Sequence, residues 1–381
     1  MEVIASILKI SLYYCGGLLA YWFVCLRRNA LSKRGAASQM SRESPRQAVK
    51  LHAVEIALVS LAIGFFSVIC GATPELSDRA HFQVFFESGL TERVKAGSFG
   101  LYVVEEILHS FTNNASVLFF VIAFLVTAIL LASYNRFPQR APIALMFVAF
   151  SFCYLYGCYQ LKEAVAVAFA TLALASYFAG RKVLCIGGIL AAIQFHEVAY
   201  ILIPLLLLLH GAKRKSLVVF EALLLAVCVF EFSEISSAVI KLVNNLIPGM
   251  SLQTTSYLNQ EGGISVESNY MTVLKGLPYY LITIIAIAYR GKLQGSIKNY
   301  DKFLILSIFV SLTSIMSFYS YWLWRFGELC YFADFVFAGL IVSTIPMKKE
   351  GQLFTAATAL SSLVLSARYF LTVFFTYGGI I

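Results

Sequence analysis

Residues 159–208 read YQLKEAVAVAFATLALASYFAGRKVLCIGGILAAIQFHEVAYILIPLLLL. The apolar run 164–179, with its flanks, is long enough to cross a bilayer as a helix. It stops at the basic pair Arg181–Lys182. A second apolar run, 183–210, is closed by another basic cluster, Lys213, Arg214 and Lys215. Basic loops stay on the cytoplasmic side of a membrane, so the chain crosses an even number of times between the two clusters. Two helices of ~15 residues reach only about 22 Å each, against a hydrocarbon core of ~30 Å. The one strongly polar spot in the run is Gln194-Phe195-His196-Glu197. The pattern predicts a hairpin of two short helices over 183–210, with His196 and Glu197 at an apex inside a water-filled dip below the outer membrane face. The competing reading is one long tilted helix, which would invert every later orientation.

The rest of the chain agrees with a membrane setting. It has 381 residues, 60% of them apolar and 13% charged. An average soluble domain is roughly 45–50% apolar and about 25% charged, so a soluble enzyme, a disordered tail and a disulfide scaffold are all excluded. The eight cysteines are scattered, without a CxxC or a Cys/His cluster, and give no zinc site and no disulfide framework. The net charge of +9 reflects topology and not a nucleic-acid partner. Neither GxxxxGK[ST] nor Rossmann glycines occur, so no nucleotide-binding domain, cofactor or metal is expected.

Further apolar runs fall near 3–26, 51–71, 115–134, 141–158, 216–232, 271–289, 303–322, 326–345 and 352–375. The segment 27–50 is strongly basic and should be cytoplasmic. The same bias places Arg136, Arg140, Arg181, Lys182, Lys213–Lys215, Arg290, Lys292, Lys298, Lys302, Lys348 and Lys349 on that side. The expected protein is all-α and polytopic, a single integral membrane domain over 1–381. It has about twelve transmembrane helices, counting the hairpin, and both termini on the external, periplasmic side. Two long external segments, about 72–114 and 233–270, are where function is expected. Within the first, 99–111 reads as an amphipathic helix lying at the interface.

An ionisable residue within apolar sequence is costly and is a functional candidate by default. Lys162 and Glu163 open the fifth span, next to Tyr159. His196 and Glu197 lie at the hairpin apex. Arg325 lies in YWLWRFGELCYF (321–332), with Glu328 one turn on and Asp334 deeper. Asp78, Glu105 and Glu106 belong to the first external segment. Groups from several helices at one depth on one face suggest a shared cavity. Lys162 and Arg325 are its candidate cations, suited to a lipid diphosphate, whose departure they would stabilise. Glu163, His196, Glu197 or Asp78 could orient or deprotonate an attacking sugar hydroxyl. Tyr159, Tyr321 and Trp324 could stack on sugar faces.

These residues resemble the EpsG/Wzy group of bacterial polysaccharide polymerases. That family opens a span with an Arg-Gln-x-x-Ala pattern, matched here by Lys162, Glu163 and Ala166. After a basic turn it carries an Ala-x-x-Phe-His, matched by Phe195-His196. An external Asp and a later Glu are matched by Asp78 and by Glu105 or Glu106, and a late Arg before an aromatic span by Arg325 with Tyr331-Phe332. Lys for Arg at 162 keeps the charge and loses the bidentate fork.

The resemblance implies a fold related to the GT-C membrane glycosyltransferases. It implies a membrane-lipid setting in the bacterial inner membrane. The implied activity is transfer of a growing glycan from undecaprenyl diphosphate to a new lipid-linked repeat unit, building O-antigen, capsule or exopolysaccharide. A flippase and a chain-length co-polymerase are the implied partners, without nucleic acid. Two other functions fit the same composition: a transporter of lipid-linked oligosaccharides and an O-antigen ligase-type transferase.

Overall fold

A helix that is apolar all round needs protein or lipid on every side, and the architecture follows from that demand. The computed structural model describes residues 78–88, 99–134, 136–137, 160–212, 214–229, 276–317 and 321–344. Among them every regular element is helical. The expected spans at 3–26, 51–71, 141–158 and 352–375, the segment 233–270 and Tyr159 lie outside the described residues.

Helices α1 (Asp78–Ser88) and α2 (Phe99–His109) precede α3 (Ala115–Tyr134), whose limits coincide with the expected span. Then come α4 (Leu161–Phe178) and α5 (Lys182–Phe195). Helices α3 and α4 are long and apolar enough to cross a membrane. Helix α4 is the hub: it packs against α3, α5 and the later α12 (Tyr331–Thr344) and is buried along nearly its whole length. Its alanines make this possible, because small residues let membrane helices approach closely. The crossing with α5 is tightest at Gly188, where a Cβ would come within 2.9 Å of the Ala173 backbone nitrogen.

The α4–α5 turn is set by its residues. Gly180 takes φ +73°, a left-handed conformation that glycine adopts without steric cost. Around it, Arg181 N–H donates to the Ser176 carbonyl (2.8 Å) and Gly180 N–H to that of Tyr177 (3.0 Å). This pattern satisfies the last carbonyls of α4.

The long-helix reading of 183–210 is overturned. Helix α5 ends at His196, whose backbone is extended (φ −152°, ψ 125°). A 3-10 turn, Glu197–Ile201, then leads into α6 (Leu202–Gly211). At 14 residues α5 spans about 21 Å, short of a bilayer core. Contacts further along show that the chain returns. Helix α7 (Arg214–Val229) carries Glu221, which pairs with Arg290 at 3.0 Å. Arg290 opens the short α9 (Arg290–Leu293) directly after α8 (Leu277–Ala288). Helix α10 (Tyr300–Met316) starts beside them, with Tyr300 Oη donating to the Ala286 carbonyl (2.6 Å). Lys302 Nζ donates to Tyr177 Oη (3.0 Å) next to the Gly180 turn. The start of α7 and the end of α4 therefore share one end of the bundle, and His196 lies at the other.

The expected span 326–345 begins later, at Tyr331. A short α11 (Tyr321–Glu328) is separated by Leu329–Cys330 from α12. Gly327, a weak helix former, lies flat against Thr313 of α10, where any Cβ would collide with the Thr313 hydroxyl. Where α8, α10 and α12 meet, Thr283 Oγ1 bonds the hydroxyls of Ser307 and Ser311, both at 2.8 Å. Asp334 is buried beside Ser307. Hydroxyl pairs of this kind tie apolar helices together without relying on the hydrophobic effect.

Candidate functional site

Three pieces of backbone far apart in sequence meet at the open end of the α4–α5 hairpin. The first turn of α4 brings Lys162 and Glu163. The break after α5 brings His196 and Glu197. Helix α11, which packs on the 3-10 turn and on α10, brings Arg325 and Glu328.

Glu163 is at the centre and is only 5% exposed. The Glu328 carboxyl, equally buried, lies beside it. Arg325, His196 and Lys162 are close enough to act electrostatically on Glu163. Arg325 and Lys162 also act on Glu197, the half-buried acid of the group. The Trp324 indole N–H donates to Glu328 Oε1. Arg325 Nη1 lies 3.5 Å from His196 Nε2.

The local fold explains the placement. His196 caps the 3-10 turn, its Nδ1 accepting the Val198 N–H at 3.2 Å. The preceding Phe195 stacks on Phe169 of α4 (5.8 Å between centroids) and is held from behind by Gly100 of α2. A Cβ at residue 100 would approach the Phe195 ring to 2.8 Å. Arg325 is fixed through its neighbours. Trp324 packs edge-on against Tyr279 and Tyr331, and Gly327 lets α11 lie on α10.

The sequence-derived candidates divide into two groups. Lys162, Glu163, His196, Glu197, Arg325 and Glu328 come together. Trp324 is part of the buried aromatic cluster and serves Glu328, which leaves it only 6% exposed. Glu105 and Glu106 sit on α2, with Glu106 exposed. Asp78 opens α1, and Tyr321 opens α11. The Glu163–Glu328 pairing escapes sequence reasoning, which offers no signal that two acids so far apart in the chain will face each other. The hydroxyl seam has one: Ser307, Ser311 and Ser314 follow the spacing of a single helix face in an otherwise apolar α10.

The span opening at Lys162, the Phe195-His196 corner and the late Arg325 thus meet in one buried charged cluster. The EpsG family model matches residues 57–379, most of the chain. The chain belongs to the EpsG family. No curated protein and no solved structure matches it. As an EpsG-family chain it is a membrane protein of polysaccharide biosynthesis. All three parts of the cluster fall inside the matched region.

Proposed function

We propose that the protein is a membrane glycosyltransferase that polymerises undecaprenyl-diphosphate-linked repeat units on the external face of the inner membrane. Family membership supports the class, and the cluster around Glu163 supports the site. The observation that carries the reading is the meeting of two cations, Lys162 and Arg325, with buried acids at one end of an apolar bundle. A membrane protein bears the cost of such burial where it serves a substrate.

In this reading Arg325 and Lys162 hold the diphosphate. They stabilise the charge that develops as the bond to the sugar breaks. The acceptor hydroxyl of the incoming unit attacks the anomeric carbon, and a neighbouring group handles its proton. The basic Gly180 end of the bundle faces the cytoplasm, and the Glu163 end faces the periplasm, as basic-loop bias requires. The chain works as one membrane-embedded unit, and its helical architecture is compatible with a GT-C-type transferase. Repeat units come from a flippase, and chain length is set with a co-polymerase.

A strain lacking the protein tests this reading. Single lipid-linked repeat units should accumulate on the outer face, with loss of the long-chain ladder. Accumulation on the inner face would instead indicate a transporter. Full-length polymer left unattached to its final acceptor would indicate a ligase.

A further inference from the structure

His196 is held in a way that fixes what its ring can do. Nδ1 accepts the Val198 N–H, a bond imposed by the extended backbone that ends α5 and begins the 3-10 turn. An accepting ring nitrogen carries the lone pair, so the proton of the neutral ring is on Nε2. Nε2 faces Arg325 Nη1 at 3.5 Å, and a guanidinium has no acceptor to offer. A neutral imidazole cannot accept at both nitrogens. The contact to Val198 is the shorter of the two, and with the lone pair on Nδ1 the ring presents Nε2–H toward the Arg325 guanidinium. Taking up a second proton would place it on Nδ1, against the Val198 N–H, in a residue only 4% exposed. The ring therefore has no lone pair available to a substrate hydroxyl. Two donors this close together suit an anionic oxygen.

Building on the polymerase reading, we propose that His196 is a catalytic donor and not a base: Nε2–H and Arg325 together grip an oxygen of the lipid diphosphate, and Glu197 takes the acceptor's proton. Glu197 suits the second role because it is the half-buried acid beside Lys162 and Arg325. Glu163 and Glu328 are almost completely buried, away from an incoming hydroxyl. In the step, the acceptor oxygen bonds the anomeric carbon and its proton passes to the Glu197 carboxylate. The bond from that carbon to the diphosphate oxygen breaks, and the electron pair leaves with the lipid diphosphate. His196 and Arg325 keep their protons throughout. Glu197 returns its proton to water before the next cycle.

Two substitutions separate donor from base. In His196→Gln the amide nitrogen reaches the place of Nε2 and donates, but it cannot act as a base. In His196→Asn the side chain still caps the Val198 N–H, as Asn does well, yet it is too short to donate at Nε2. Full-length protein purified in detergent is assayed in two ways, with melting curves confirming equal folding. The first measures turnover of a lipid-linked repeat unit. The second measures binding of undecaprenyl diphosphate without turnover. His196→Gln should keep turnover within about 10-fold and bind like wild type. His196→Asn should lose about 100-fold in turnover and bind more weakly. Glu197→Gln should lose turnover at least as severely while binding is kept.

Equal inactivity of the Gln and Asn variants, or equal binding by both, would overturn the donor role. So would loss of the acid limb of the pH–rate profile in His196→Gln. A wild-type protein that turns nothing over but binds the diphosphate with this same Gln–Asn split would sink the polymerase reading and leave the donor standing.

Discussion

The two ends of α4 carry similar charge and treat it in opposite ways. At the Gly180 end, Arg181 and Lys182 are exposed on a tight turn. Nearby Lys302 leans over the Tyr177 ring, 4.9 Å from its centroid, and the Arg290–Glu221 pair is about a quarter exposed. These groups are exposed or part-exposed and make few partner contacts, so removing one leaves little uncompensated. At the Leu161 end, Glu163, His196 and Glu328 are almost completely buried, and each depends on a group from another helix. A buried charge network loses far more than one contact when one member goes. The comparison teaches that charge in an apolar bundle is informative by how it is buried, not by its presence.

The largest effect should follow Arg325→Ala. Removing the guanidinium from the grip on the leaving group should cost about 100- to 1,000-fold in turnover, read as loss of long chains on a gel of the glycan. Arg325→Lys keeps charge without the planar fork and should recover only part of it. Next comes Glu163→Gln, which leaves Arg325, Lys162 and His196 without their shared acid. Glycan length should fall sharply even where protein level in the membrane is normal, and a wild-type ladder from that variant would detach Glu163 from the site.

Packing changes should be smaller and should act through position. Gly188→Leu sets a side chain against the Ala173 backbone. It should lower the melting temperature of the detergent-purified protein and activity together. Gly100→Ala presses on Phe195 and so on His196. It should reduce turnover several-fold, with little change in melting. The smallest effect should come from Glu221→Ala at the other end, where a part-exposed pair is worth about 0.2–1 kcal/mol. The variant should extend glycan as wild type does.

The helical frame was legible because its signals are local. The run 115–134 becomes α3 without a residue's difference. The single polar interruption at His196 marks the break in 183–210, since a helix break is where a polar side chain can bond to the backbone. The separate short α11 ahead of α12 was not legible. It depends on Gly327 meeting Thr313 of α10, a contact between helices that no periodicity in either one announces. The site was partly legible for the same reason. Lys162, Glu163, His196 and Arg325 stand out as charges in apolar surroundings. The closeness of Glu163 to Glu328 and the placing of the His196 ring beside Arg325 arise only when α4, α5 and α11 come together. Trp324 shows the converse: an aromatic at an expected interface turns inward because Glu328 offers its indole a partner.

The contrast between the two ends can be put to one measurement: extension of a purified lipid-linked repeat unit by wild type, Arg325→Ala and Arg290→Ala, side by side. The account predicts a ladder from wild type and from Arg290→Ala, and single units alone from Arg325→Ala. A full ladder from a folded Arg325→Ala protein, or equal loss in both variants, would contradict it.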